Sequence, residues 1–502
     1  MLLAGSYTGL SAFPPSVAVV VRAENCSFIF GIRAIHGGHN ATIHAPIVRS
    51  QPVARSSFSR VPFEAQIDGL THDGRGVARR DGKAVFVRGA LPGERVIAQP
   101  TARHRNYDEA ATIEVLQASP DRVTPLCAHF GQCSGCVLQH LDAPKQIEAK
   151  QRVLLENLER IGHVTPQRVL PALTDQPWGY RRKGRLSVRY VEKKERTLVG
   201  FREDDPRFVA DIQRCETVVP AIGARIGAIG AMIDTLEGKR DIAQIEFIIG
   251  DRSAGDGGGP DGSGHAALVF RNLQPLSESD QTTLIQFAKG NDLAVLLQPG
   301  GVDSVRPLWP ESIALEFALP EYDVTLAFQP LDFIQINAGM NAKMIARTLE
   351  LLDPKPQQRI LDLFCGLGNF TLPIARRVAE VVGVEGEVGL VARARANAEC
   401  NGISNARFYT ADLASTLAYE PWINERFDAL LLDPPRSGAE ALLPQLPLKK
   451  IDRIVYVSCH PGSLVRDAGF LVRARGYKLR AAGVMDMFPH TAHVESIALF
   501  ER

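Results

Sequence analysis

From about residue 340 onward, short apolar runs alternate with amphipathic stretches. Runs at 359–364, 380–385, 407–410, 427–432, 451–458, 478–484 and 493–500 read as strands, and the segments between them carry helical spacing. Runs that are apolar on both faces suit a parallel sheet covered by helices. The pattern therefore predicts a doubly wound α/β domain with its ligands at the carboxyl ends of the strands. Upstream the rhythm changes. Between Pro62 and about Gln117 the strands are short and the turns tight, with 84–88 and 95–99 extended and Asp81-Gly82 marking a hairpin. Five or so strands in that span predict a small OB-like barrel. A helix follows, started by Asp142 and Pro144, striped by Ile147, Leu154, Leu158 and Ile161, and ended by Gly162. Residues from about 177 to 330 read as mostly β, broken by a Gly-, Asp- and Ser-rich insertion at 251–264.

The chain thus divides into an extension at 1–56, a barrel at 57–117, a central β region at 118–335 and the α/β domain at 336–502. With 502 residues, 45% hydrophobic and 23% charged, it reads as a multi-domain globular protein. No apolar run approaches the roughly 18–20 residues that cross a bilayer. Residues 1–56 hold one acid, Glu24, among several Ser and Arg. They read as a disordered extension or an over-long start, with an organellar transit peptide as the alternative.

A formal charge of +1 excludes a polycation, so any nucleic-acid surface must be local. Arg181, Arg182, Lys183, Arg185, Arg189, Lys193, Lys194 and Arg196 form such a stretch, able to neutralise phosphates unless it is simply a solvated face. Eight scattered cysteines give no secreted disulfide framework and fit a reducing, cytoplasmic compartment.

Candidate chemistry gathers at predicted strand ends. Leu361-Asp362-Leu363-Phe364-Cys365-Gly366-Leu367-Gly368 leaves the first strand through glycines that let backbone approach a ligand. Glu385 ends the next strand, where a carboxylate suits a ribose diol, and Asp412 ends the third, where it can receive an adenine amine. Asp433-Pro434-Pro435-Arg436 ends the fourth. These features resemble class I S-adenosylmethionine methyltransferases. Cys459 lies past the fifth strand, and such a thiolate can add to C6 of a uracil and make C5 nucleophilic. The C5 proton then needs a base, for which Glu495 is the candidate. Cys127, Cys133 and Cys136 in C-x5-C-x2-C, with Cys215 as fourth ligand, suit either zinc or a [4Fe–4S] cluster.

Cys133-Ser134-Gly135-Cys136, the segment Phe333-Ile334-Gln335-Ile336-Asn337-Ala338-Gly339, the Leu-Asp-Leu-Phe-Cys-Gly loop and Asp486-Met487-Phe488-Pro489-His490-Thr491 together resemble the bacterial RNA uracil-5-methyltransferases, from about residue 57 to the end. Having both barrel and cysteines points to the members acting on 23S ribosomal RNA. The resemblance implies a TRAM barrel, a central β domain with an iron–sulfur cluster held by Cys127, Cys133, Cys136 and Cys215, and a class I methyltransferase domain. It places Gln335, Phe364, Asn369, Glu385, Asp412 and Asp433 at S-adenosyl-L-methionine, makes Cys459 the nucleophile and Glu495 the base. It implies formation of 5-methyluridine at uracil 1939 of 23S ribosomal RNA by a monomer with no membrane partner. The alternatives are another ribosomal or transfer RNA position, or a non-catalytic RNA-binding iron–sulfur protein. One departure stands out: the family commonly carries Asn after its catalytic cysteine, and here the residue is His460.

Overall fold

The computed structural model describes residues 60–251 and 265–502. The extension at 1–56 and nearly all of the 251–264 insertion lie outside the described residues. Among the described residues no helix is long and apolar enough to cross a membrane.

The first compact element is a six-stranded sheet in the order Phe63–Gln66, Arg95–Arg103, Tyr107–Gln117, Lys83–Arg88, Gly76–Arg80, Gly69–Leu70. Alternate residues such as Ala78, Val85, Val87, Val96 and Ala98 fill its interior, as the period-2 pattern requires. Asp81 and Gly82, at φ 51° and 77°, form the hairpin turn that their sequence predicts. A buried carboxylate closes this element onto the next segment. Glu94 accepts from Arg122 Nε and Nη2 at 2.5 and 2.7 Å and from the amides of Leu91 and Ser119.

The central region is less uniformly β than expected. Its six-stranded sheet runs Arg306–Trp309, Leu293–Leu297, Ala266–Asn272, Ile242–Ile249, Lys183–Val191, Arg196–Gly200. Two helices, Ile226–Asp234 and Glu278–Asn291, pack on it. The second is the crossover that joins two parallel strands, capped by Ser277, whose side chain accepts from the Asp280 amide. The basic stretch is divided between interior and surface. Arg182 and Lys183 are turned inward: Arg182 Nε donates to the Gln335 carbonyl, and Lys183 Nζ to the carbonyls of Pro330 and Asp332. Lys194 and Arg196 share Asp211. Arg182 and Lys183 therefore hold the protein together, while Arg185, Arg189, Lys193 and Lys194 remain exposed.

The C-terminal sheet has eight strands, ordered Ala406–Thr410, Glu380–Glu385, Arg359–Leu363, Ala429–Leu432, Arg453–Ser458, Glu495–Glu501, Lys478–Met485, Arg168–Val169. The first five are parallel, and the strand order reverses between Arg359–Leu363 and Ala429–Leu432. That reversal opens a crevice at their carboxyl ends. Glu495–Glu501 runs antiparallel to both neighbours, so its amino end comes to the same edge.

Helix Ala143–Arg160 lies on this sheet, not beside the cysteines that precede it in sequence. Leu154 and Leu158 are fully buried among Leu464, Val465, Leu479 and Ala482. Ile161, expected in the same stripe, is 64% exposed because the helix ends at Arg160. Leu154→Ala should cost about 2–5 kcal/mol through lost burial and a residual cavity. Thermal unfolding should show a clear drop in midpoint for that variant and almost none for Ile161→Ala.

Candidate functional site

Four of the predicted donor residues meet at the crevice. Gln335, Phe364, Asn369 and Asp433 line one cavity with Phe317, Phe333 and Gly366. The glycine loop is held open by backbone geometry: Gly366 sits at φ 55°, and Phe364 at φ 67° occupies the left-handed region that non-glycine residues rarely adopt. Glu385 fixes that loop from the neighbouring strand. Its Oε2 accepts from the Gly366 amide at 3.2 Å and its Oε1 from the amides of Gly386 and Glu387. Asp412 does not line the cavity. It is exposed, its carboxylate binds the Ala414 amide and the Ser415 hydroxyl, and its pKa is lowered by those bonds.

Two residues that sequence reasoning passed over support this cavity. Asn341, on helix Ala338–Leu352, exchanges two 2.9 Å hydrogen bonds with the Asn369 amide. Thr371 donates to Asp362 at 2.5 Å beneath the glycine loop. Asp362 is fully buried and its carboxyl is pushed up to about 7, first by burial. The helix carrying Asn341 begins at Asn337, whose side chain accepts from the Met340 amide. Gly339 in that first turn is required by close approach: a Cβ there would stand 1.8 Å from Asp175 Oδ2.

The thiol and the candidate base are brought together by sheet register. Ser458 pairs with Ser496, so Cys459 and Glu495 continue from adjacent paired positions at one edge. Asp433 joins them from the end of Ala429–Leu432. Their proton affinities show mutual proximity. Burial, with the charges of Glu495 and Asp433, pushes the Cys459 thiol up to about 11. Burial and Asp433 push Glu495 up to about 8, while Lys150 pulls it down. Burial alone raises Asp433 to about 7. Burial thus opposes ionisation of all three groups.

His460 caps helix Pro461–Arg475. Its Nδ1 accepts from the Ser463 amide at 3.2 Å, the bond that an Asn side chain makes at an N-cap. The histidine thus serves the helix in the way the commoner Asn would, leaving the thiol beside it free.

Cys127, Cys133, Cys136 and Cys215 line a single cavity of about 270 Å³ together with Arg181 and His493. Burial, opposed by a hydrogen bond and reinforced by the neighbouring thiols, pushes Cys136 up to about 12. Among the described residues, no three His, Cys, Asp or Glu side chains are converged as a metal site, so a distinct iron–sulfur domain is not established by this geometry. The cysteine loop is tied to the catalytic edge. The amides of Val137 and Leu138 both donate to the His490 carbonyl, at 2.9 and 3.0 Å, on the loop that leads to Glu495.

The burial of Glu495 has a measurable consequence. Below its ordinary pKa of 4.5 the group is protonated in folded and unfolded chains alike. Between there and about 8 the unfolded chain ionises and the folded one does not, so stability falls as pH rises through that window. Glu495→Gln removes the linkage. Its unfolding midpoint should match the parent at pH 5 and exceed it by several degrees at pH 8; equal midpoints at both pH values would contradict a buried, neutral carboxyl.

Comparison with known proteins places these features in context. Residues 62–111 match the TRAM domain model, and residues 316–502 match the model described as tRNA (Uracil-5-)-methyltransferase. A protein of Xanthomonas campestris pv. campestris (strain 8004), named 23S rRNA (uracil(1939)-C(5))-methyltransferase RlmD, is 63% identical over 452 residues, covering 89% of this chain and 99% of its own. A protein of the same name from Stenotrophomonas maltophilia (strain K279a) is 60% identical with the same coverage. The crystal structure of Pyrococcus abyssi tRNA (uracil-54, C5)-methyltransferase with S-adenosyl-L-homocysteine superposes with TM-score 0.65 at 22% identity, over 87% of this chain and all of that one, a likeness of fold. The architecture is thus a TRAM domain joined to a class I S-adenosylmethionine-dependent methyltransferase fold, and the chain belongs to the RNA uracil-5-methyltransferase family.

Proposed function

We propose that this protein methylates C5 of a uracil in 23S ribosomal RNA, at the position that its relatives' name gives as 1939, with S-adenosyl-L-methionine as donor. The observation that carries the reading is the meeting of Cys459, Glu495 and Asp433 beside the cavity of Gln335, Phe364 and Asn369, in a chain that matches such proteins over almost their whole length.

The donor, when bound, supplies an electrophilic methyl and a positive charge. Gln335, Phe364, Asn369 and Asp433 would hold it, with Glu385 suited to the ribose and Asp412, outside the cavity, suited to the adenine amine. A positive charge in that cavity would favour the ionised forms of Asp433, Glu495 and Cys459, which burial otherwise suppresses, the thiol proton passing to solvent before the base is attacked. The target base must leave its stack to reach this edge, because its C6 face is otherwise covered. The Cys459 thiolate adds to C6, C5 gains nucleophilic character and takes the methyl group. Glu495 then removes the C5 proton, the C6–S bond breaks, and Cys459 leaves as thiolate. Domain boundaries near 57–117, 118–335 and 336–502 give this chemistry an RNA-facing barrel, a central platform and a catalytic domain.

Cys459→Ala should abolish methylation of 23S RNA while sparing donor binding, and Glu495→Gln should accumulate a covalent protein–RNA adduct seen as a retarded band on a denaturing gel. Full activity of the first variant would sink the mechanism, and normal turnover without adduct in the second would remove Glu495 from the base role.

The four thiols around one cavity are assigned to a [4Fe–4S] cluster. Four cysteine donors suit it, and Glu216, His129 and His493 line the same cavity. Its role in this reading is structural, since the methyl transfer needs no electron. Protein purified without oxygen should show broad visible absorbance that Cys133→Ser together with Cys136→Ser removes. Stoichiometric zinc and no visible band would replace the assignment.

A further inference from the structure

Among the described residues Lys150 is the one buried lysine, and neither the thiol nor the donor cavity accounts for it. It projects from helix Ala143–Arg160, its side chain 3% exposed. Its Nζ donates to Asp486 Oδ1 at 2.7 Å and to the Phe488 carbonyl at 3.0 Å. An ammonium carries three protons, and these contacts use two. Asp486 directly follows Met485, the residue paired with Glu495 across the antiparallel strands. Glu495 in turn has a buried Oε2 with no hydrogen-bond partner. An unassigned ammonium proton and an orphaned carboxylate oxygen therefore sit on neighbouring elements in a water-poor interior. Each group also alters the other's proton affinity in the direction of attraction. Leaving both unmatched would cost the desolvation of a charged donor and of an acceptor.

Lys150 and Glu495 do not hydrogen-bond in this structure. We propose that Lys150 is a positioning residue for Glu495: anchored by Asp486 and Phe488, its ammonium turns its remaining proton to the carboxylate once the donor's charge has ionised it, and keeps it aimed at C5. Asp486 keeps the lysine charged at depth, and the Phe488 carbonyl fixes its reach. The inference rests on the reading of Glu495 as the base.

Other charges surround the pair. Asp433 and Cys459 face Glu495 from the ends of their strands, and His490 and His493, on the 486–494 loop, face Lys150. Removing Lys150 also relieves His490 and His493 of its charge and leaves Asp486 without its ammonium, so the charge-preserving Lys150→Arg is the variant that isolates the lysine's charge. Its positive charge favours the carboxylate, hence its removal raises the proton affinity of Glu495 further.

The test is the pH dependence of tritium release from C5 of [5-³H]uracil-labelled 23S RNA in single turnover, with the holoenzyme and saturating donor. Lys150→Gln should move the acid-limb midpoint up by about one pH unit, lowering release about tenfold below the midpoint. Release should recover at high pH, and covalent adduct should accumulate at neutral pH. Lys150→Arg should return the midpoint towards the parent value, and Lys150→Met serves if the glutamine variant does not fold. An unchanged midpoint in Lys150→Gln, a uniform loss at every pH, or a midpoint in Lys150→Arg equal to that of Lys150→Gln overturns the proposal. Glu495→Gln is measured in parallel. Parental release in that variant defeats the base reading itself, whereas lost release there with no shift in Lys150→Gln defeats only the role of Lys150.

Discussion

The site depends on one reversed strand. Five parallel strands deliver Phe364, Glu385, Asp412, Asp433 and Cys459 to a common edge simply because all five end there. A sixth parallel strand would have added another carboxyl end, with its side chains reached only after the strand was complete. Glu495–Glu501 instead enters from the crevice side, so its first residue stands where the others finish. The pairing of Ser458 with Ser496 then sets the spacing of thiol and carboxyl by backbone hydrogen bonds, a stiffer frame than any loop. A slip of one residue would turn Glu495 to the opposite face of the sheet.

Burial gives the same edge its electrostatic character. Asp362, Asp433 and Glu495 are all raised towards or above neutrality, and the thiol higher still. This edge therefore resists ionisation of its buried acids and thiol. It is suited to a cationic ligand, whose arrival restores the charges that burial suppresses. The ammonium of Lys150 is the standing positive charge on the protein side.

Much of the catalytic domain was legible because parallel strands, covered on both faces, write themselves as apolar runs. All seven expected strands are present within a few residues, and the crevice follows from their order. The central region was harder. Ile226–Asp234 is built from Ile, Ala, Gly and Met, and such an apolar run has no clear period to separate helix from strand. Glu278–Asn291 did offer a signal, a Ser277 cap with Asp280 three residues on, that the β pattern around it obscured. Short edge strand Arg168–Val169 carries almost no pattern at all. Site residues at strand ends were readable from position. Asn341 and Lys150 were not, because each matters through a partner far along the chain, at Asn369 and Asp486. The inward turn of Arg182 and Lys183 in the basic stretch was hidden for a related reason: composition records charge but not the carbonyls that engage it.

The reversed strand also orders events in time. Glu495–Glu501 inserts between Arg453–Ser458 and Lys478–Met485, both made before it. On a ribosome the parallel half of the sheet, the glycine loop and the thiol can all emerge and begin to pack while that gap stays open. During this interval two strand edges are unpaired, the condition under which nascent chains are most exposed to wrong partners. The thiol meanwhile lacks the carboxyl opposite it, so in the proposed mechanism the chemistry waits on the seating of a strand made after both of its neighbours.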